Sequence, residues 1–161
     1  MDSDTFVAGF DYPMFVVTTI DPGTGTRAGC LVGFATQTGI DPFRFLVCLS
    51  RVNHTYRTAE AATHLAVHVL DESQRDLAAL FGSQTGDEID KFTRCAWRPG
   101  PEGVPLLTDA PRHLVGRILA RTDLGDHTGY LLAPVDVAGT SEAAPLTFRA
   151  LPDLSPGHPA G

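Results

Sequence analysis

From His113 to Thr122 apolar and polar side chains alternate in a two-residue rhythm. Leu114, Gly116, Ile118 and Ala120 fall on one side and His113, Val115, Arg117, Leu119 and Arg121 on the other. A period of two belongs to an extended strand that is half exposed. Asp123-Leu124-Gly125-Asp126-His127-Thr128-Gly129 interrupts the run, and Tyr130 to Val137 resumes it. Two long antiparallel strands joined at a polar corner are the economical solution. Such a pair leaves edges that other strands or closure must cover.

Further strands are available. Met14 to Ile20 is rich in branched and aromatic residues and too short for a typical helix. Asp21-Pro22-Gly23-Thr24-Gly25-Thr26 turns the chain, and Arg27 to Thr36 reads as its hairpin partner. Gly29 and Gly33 punctuate that partner, where a glycine marks a bulge, a bend, or close approach by another backbone or a ligand. Phe43 to Leu49 and Leu65 to Leu70 also read as strands, and Pro145 to Arg149 as a last one.

Helical signals are few. Asn53 to Ala62 forms a short helix with Asn53 or Ser50 as its cap. Asp71 and Gln74 have capping-box spacing ahead of the apolar stripe Leu77, Leu80 and Phe81, and Gly82 ends that helix. A shorter helical element spans Asp87 to Phe92. Pro99 to Pro111 reads as a surface excursion anchored by Val104, Leu106 and Leu107. Residues 1–161 thus form a single domain, mainly β with peripheral α-helices, and a turn-rich tail begins at about residue 152.

Twelve Lys and Arg against nineteen Asp and Glu, a net charge of −7, argue against a cationic surface for nucleic acid or an anionic membrane. Lys91 is the only lysine. No window approaches the roughly 20 apolar residues that span a bilayer, and Met1-Asp2-Ser3-Asp4 does not resemble a secretory leader. The expectation is a soluble cytoplasmic protein. Cys30, Cys48 and Cys95 are widely spaced and suggest neither a disulfide framework nor a zinc site. Cys30 and Cys48 lie in apolar runs and read as small core groups. Dinucleotide and nucleoside-triphosphate fingerprints, H-E-x-x-H and a nucleophile elbow are all absent, so no metal is expected and serine hydrolysis is disfavoured.

Two polar groups carry candidate chemistry. Arg51, Asn53, His54 and Thr55 stand at the start of the first predicted helix, where free N–H groups and an arginine can receive a phosphate, or cap one another in an ordinary helix start. His127, between Asp126 and Thr128, either meets a substrate or is held by Asp126 to shape the turn. His68, in an apolar strand, reads as a satisfied packing histidine.

The ordered set Tyr12-Pro13, Val16-Val17-Thr18-Thr19, Gly29 and Gly33-Phe34, Asp41-Pro42, Asn53-His54-Thr55-Tyr56, Leu65 to Leu70, Gln74-Arg75-Asp76-Leu77-Ala78, Asp90-Lys91-Phe92 and Leu124-Gly125-Asp126-His127 resembles the flavin-reductase-like, FMN-binding split-barrel family over residues 10–150. The resemblance implies a six-stranded antiparallel Greek-key split β-barrel and a homodimer with flavin near the interface. By the same resemblance, Gly29, Cys30, Leu31, Val32, Gly33, Phe34 and Ala35 run beside the isoalloxazine and ribityl groups. Ser50, Arg51, Asn53, His54 and Thr55 enclose the phosphate, and His127 approaches the place where nicotinamide meets the flavin. Phe92 lines that place from a nearby subunit. Where the family often carries Thr and Ser, this chain has Leu31, Gly33 and Phe34.

The implied activity is an NADH- or NADPH-dependent flavin reductase transferring hydride to FMN, with FAD or a deazaflavin as other cofactors. Electrons then pass to oxygen, another acceptor or a flavin-dependent monooxygenase partner. Two alternatives share the fold: a deazaflavin-dependent reductase of a small organic acceptor, and a non-enzymatic flavin-binding redox sensor or structural dimer.

Overall fold

A computed structural model describes residues 1–83, 90–140 and 142–151. The elements run α1 (Ser3–Val7), β1 (Phe15–Ile20), β2 (Arg27–Val32), β3 (Ala35–Ile40), β4 (Phe43–Ser50), α2 (His54–Ala59), β5 (His64–Val69), α3 (Arg75–Ser83), β6 (Trp97–Pro99), β7 (Pro105–Leu107), β8 (His113–Asp123) and β9 (His127–Ala138). One antiparallel sheet of seven strands has the order β2-β1-β5-β8-β9-β4-β3, with β6 and β7 as a separate hairpin. Six strands were expected.

The sheet curls around one core. Phe15 and Val17 of β1, Cys30 and Val32 of β2, Val47 and Leu49 of β4, Leu65 and Val67 of β5, and Tyr130 and Leu132 of β9 share a single cluster with Ala59 of α2. Residues from both ends of the strand order therefore bury the same apolar surface, worth roughly 1.5–3 kcal/mol for each large side chain. A second cluster under α3 holds Val16, Leu70, Leu77, Ala78, Phe81, Phe92 and Leu107. The capping box at its entrance forms as the spacing required: the Asp71 side chain accepts from Ser73 N–H, and Gln74 Oε1 accepts from Asp71 N–H at 2.8 Å. The helix continues through Gly82 instead of stopping there.

The return segment Arg27 to Thr36 is not one strand. It breaks at Gly33-Phe34, where the ring of Tyr12 lies so close that a Cβ on Gly33 would sit 2.5 Å from Tyr12 Cε2. Beyond the break, Phe34 O accepts from Cys48 N–H at 2.9 Å, and the chain continues as β3 along β4. The excursion at Pro99 to Pro111 contains β7 and its pairing with β6, and Val104, Leu106 and Leu107 are buried as its anchors. The expected last strand is instead two isolated bridges, Pro13 with Thr147 and Asp71 with Pro145, followed by a 3-10 turn over Phe148–Ala150. Of the helical element expected at Asp87 to Phe92, Lys91–Thr93 forms a 3-10 turn capped by Asp90. Residues 84–89 and the tail from 152 lie outside the described residues. Among the described residues no helix is long and apolar enough to cross a membrane.

Candidate functional site

Strand alternation creates the site. Phe45, Val47 and Leu49 of β4 point into the main core, as do Tyr130 and Leu132 of β9. Their neighbours Leu46, Cys48 and Ser50 must face the other way. The register sets these opposite Leu131, Gly129 and His127. Phe34 reaches the same face through its bond to Cys48, and its ring centroid lies 5.1 Å from that of His127. Cys48 is therefore half-buried on that face and not a core group, because an apolar run conceals which side each residue takes.

The β8–β9 corner is an ion-paired frame. The Arg51 guanidinium lies 2.7 Å from Asp123 Oδ1 and donates from Nε to Thr128 Oγ1 at 3.4 Å, while Arg51 N–H donates to Asp126 O at 3.0 Å. A backbone N–H from Gly125, then Arg51, holds the Asp123 carboxyl below its ordinary range. His127 Nδ1 lies 2.8 Å from Asp126 Oδ1, and its bond and charge hold the Asp126 carboxyl low. A carboxylate only accepts, so Nδ1 carries the proton and Nε2 is the ring nitrogen left for another group. The His127 side chain is only 15% exposed, so this partnership fixes a largely sheltered ring.

At the start of α2, Asn53 caps the helix by accepting from Thr55 N–H at 2.8 Å, and the Arg57 guanidinium meets His54 Nδ1 at 3.2 Å. The ordinary capping alternative is thus realised for these residues. Two hydroxyls there are different: Ser50 Oγ and Thr55 Oγ1 are buried and have no hydrogen-bond partner among the described residues. A buried hydroxyl without a partner costs roughly 1–3 kcal/mol, which an acceptor or donor supplied by a ligand would recover. Tyr130 OH is also buried and unpartnered among the described residues, and burial, then the nearby Tyr56, raises its pKa to about 12.

The strand expected to run beside a cofactor is largely committed to packing. A Cβ on Gly29 would lie 2.8 Å from the Phe81 ring, and Lys91 Nζ donates to Gly29 O and Phe81 O at 3.3 and 3.2 Å. Cys30 and Val32 point into the main core, and burial pushes the Cys30 thiol up to about 11. Leu31 packs on the second cluster, while Ala35 packs against the first. Phe92 is buried between Phe81 and Trp97, with ring centroids 5.8 and 5.7 Å away. The fold thus brings Phe34, Ser50, Arg51 and His127 to one face with Asn53, His54 and Thr55 at its end, and leaves Gly29 and Phe92 in the α3 cluster. Tyr12 and Cys48 join the face or its rim without having been singled out by the sequence as site residues. Only the contacts of Phe34 and Gly33 reveal them.

The family described as Flavin reductase like domain matches residues 7–152. The chain belongs to that family. This flavin reductase-like domain is 27% identical over 150 residues to a ferric-chelate reductase (NAD(P)H) of Archaeoglobus fulgidus, covering 92% of this chain and 87% of that protein. It is 34% identical over 100 residues to the flavin-dependent monooxygenase reductase subunit HsaB of Mycobacterium tuberculosis, covering 60% of this chain and 52% of that subunit. The chain therefore matches about half the length of the second relative. Among solved structures, nitrilotriacetate monooxygenase component B from Mycobacterium thermoresistibile superposes with a TM-score of 0.78 at 27% identity, over 91% of this chain and 82% of that one. Membership of the flavin reductase-like family accounts for the antiparallel, mainly β fold.

Proposed function

We propose that the chain is an NADH- or NADPH-dependent flavin oxidoreductase acting on FMN, with the flavin ring on the face that carries Phe34, Cys48 and His127. Its phosphate lies toward Ser50, Arg51 and the start of α2. The buried, unpartnered Ser50 hydroxyl carries this reading: it stands where the β4 end meets α2, and a phosphate oxygen is an acceptor of the kind it lacks. Arg51 adds a cation that is already oriented by Asp123 and Thr128. The relatives named as NAD(P)H reductases and monooxygenase reductase subunits support the same activity and a flavin-dependent monooxygenase as the downstream partner.

A flavin bound there supplies the redox chemistry, taking hydride from a reduced nicotinamide and passing electrons onward. The protein orients and shelters. Asp126 fixes the His127 ring and leaves Nε2 for a substrate polar group, and Phe34 packs beside the imidazole. Backbone groups at Gly33 and Phe34 replace the hydroxyls that Thr and Ser supply elsewhere in the family. A second copy completes a split barrel dimer in the cytoplasm, and the exposed Ile40, Leu119 and Leu124 are apolar side chains available to it.

The test is a turnover assay of the purified chain with NADH and NADPH in the presence of FMN, FAD or riboflavin. Flavin-dependent oxidation of either dinucleotide is expected. Its absence with all three flavins overturns the enzymatic reading.

A further inference from the structure

Four rings from four separate segments touch in sequence. Phe148 stacks on Tyr12 with centroids 4.9 Å apart and planes 18° from parallel, Tyr12 meets Phe34 at 6.1 Å, and Phe34 meets His127 at 5.1 Å. The run is built into the fold. Tyr12 is held between the Phe148 face and the bare backbone of Gly33, where no Cβ fits. The turn carrying Phe148 is tied down by Phe148 N–H to Tyr12 O at 2.9 Å, Arg149 N–H to Asp11 Oδ1 at 2.9 Å and Arg75 to Ala150 O at 2.7 Å. Yet its two flanking phenylalanines stay open: Phe34 is 52% and Phe148 48% exposed.

We propose that this ring track is the seat of the purine of the dinucleotide reductant, with the purine stacked on the open face of Phe148. The proposal rests on the flavin-reductase reading, which puts the nicotinamide at the His127 end of the same track. Two features select this occupant. An aromatic face backed by a second, parallel ring offers a rigid platform for a planar heterocycle at little entropic cost. The next residue is the exposed Arg149, a cation for the dinucleotide's phosphates on a chain whose net charge of −7 otherwise repels them. Phe148 is thereby a specificity-determining residue for donors that carry a purine.

The experiment compares NADH with reduced nicotinamide mononucleotide, which lacks the purine, in the wild type, Phe148→Leu and Phe148→Trp. Phe148→Leu keeps apolar bulk but removes the stacking face. It is expected to raise KM for NADH about tenfold at unchanged kcat. It leaves KM for the mononucleotide as it was, and Phe148→Trp restores the NADH value. Equal shifts with both donors, or none with NADH, overturn the proposal. Binding of adenosine monophosphate to the same three proteins, followed by NMR, gives a readout independent of turnover. Binding by the wild type and Phe148→Trp but not Phe148→Leu supports the purine seat even where the reductase assay fails, whereas no binding by the wild type overturns it.

Discussion

Ser50 and His127 are direct partners across β4 and β9, on the side of the sheet turned away from the core. One residue brings a buried hydroxyl that has no partner among the described residues, the other an imidazole whose Nδ1 is held by Asp126. Their pairing sets the two groups side by side in a single rung of the sheet, which is rigid in a way that two loops would not be.

Ser50→Ala removes the orphaned hydroxyl. Fold stability, followed by thermal unfolding, is expected to stay level or rise slightly, because a costly unpartnered group is gone. Affinity for FMN, measured by fluorescence titration, is expected to fall about tenfold, in line with a lost hydrogen bond to a charged group, and affinity for riboflavin to change little. An equal loss for both flavins removes Ser50 from the phosphate.

Arg51→Ala carries a related expectation with a different cost. FMN binding weakens more than riboflavin binding, and the corner at Asp123 to Thr128 loses its cross-brace. The ion pair is partly exposed, so the loss of stability from the pair itself is expected within about 1 kcal/mol in a denaturation curve.

His127→Ala is expected to lower kcat/KM for the dinucleotide while leaving the flavin dissociation constant within about twofold, roughly 0.4 kcal/mol on the scale where 1.4 kcal/mol is tenfold. Steady-state kinetics beside a flavin titration separates the two effects. Unchanged kinetics returns His127 to shaping the turn.

Gly29→Ala tests whether that glycine serves packing or a ligand. The added methyl meets the Phe81 ring, buried under α3, and overpacking of this kind costs about 1–3 kcal/mol. A lower melting temperature with flavin affinity retained in the folded protein is expected. Full stability with lost flavin affinity contradicts the packing role.

His68 makes stability depend on pH. Its Nδ1–H donates to Val16 O at 2.9 Å and its Nε2 accepts from Leu107 N–H at 3.1 Å, so the folded ring is neutral. Burial first, and then the neighbouring His113, lower its pKa from 6.5 to about 4. The unfolded chain binds the proton more readily, so this contribution is fully present above about pH 6.5 and is lost as pH falls toward 4, up to about 3 kcal/mol. Denaturant midpoints measured down that range are expected to fall less steeply in His68→Gln than in the wild type.

Periodicity made the long elements legible. His113 to Thr122 and Tyr130 to Val137 alternate over enough residues that β8 and β9 follow directly, and the Asp71/Gln74 spacing located the entrance to α3. The strand β3 was hidden because Ala35–Ile40 is a mostly exposed edge with polar residues on both faces and no apolar alternation. The short β6 and β7 carry prolines at Pro99 and Pro105, which read as loop. At the site, Arg51 and His127 were visible as polar residues at a helix start and a corner. Cys48 was misread because Phe43 to Leu49 is apolar on both faces. The Tyr12 and Phe148 contact joins opposite ends of the chain, and no local pattern reports it.

In the proposed function, the face carrying Phe34, Ser50 and His127 holds a flavin that a nicotinamide can reduce. Anaerobic addition of NADH or NADPH to the protein premixed with FMN, followed by the visible absorbance of the flavin, tests it most directly. Bleaching that is rapid with the wild type and much slower with His127→Ala is the expected result. Bleaching no faster than with free FMN and reductant in buffer would contradict the account.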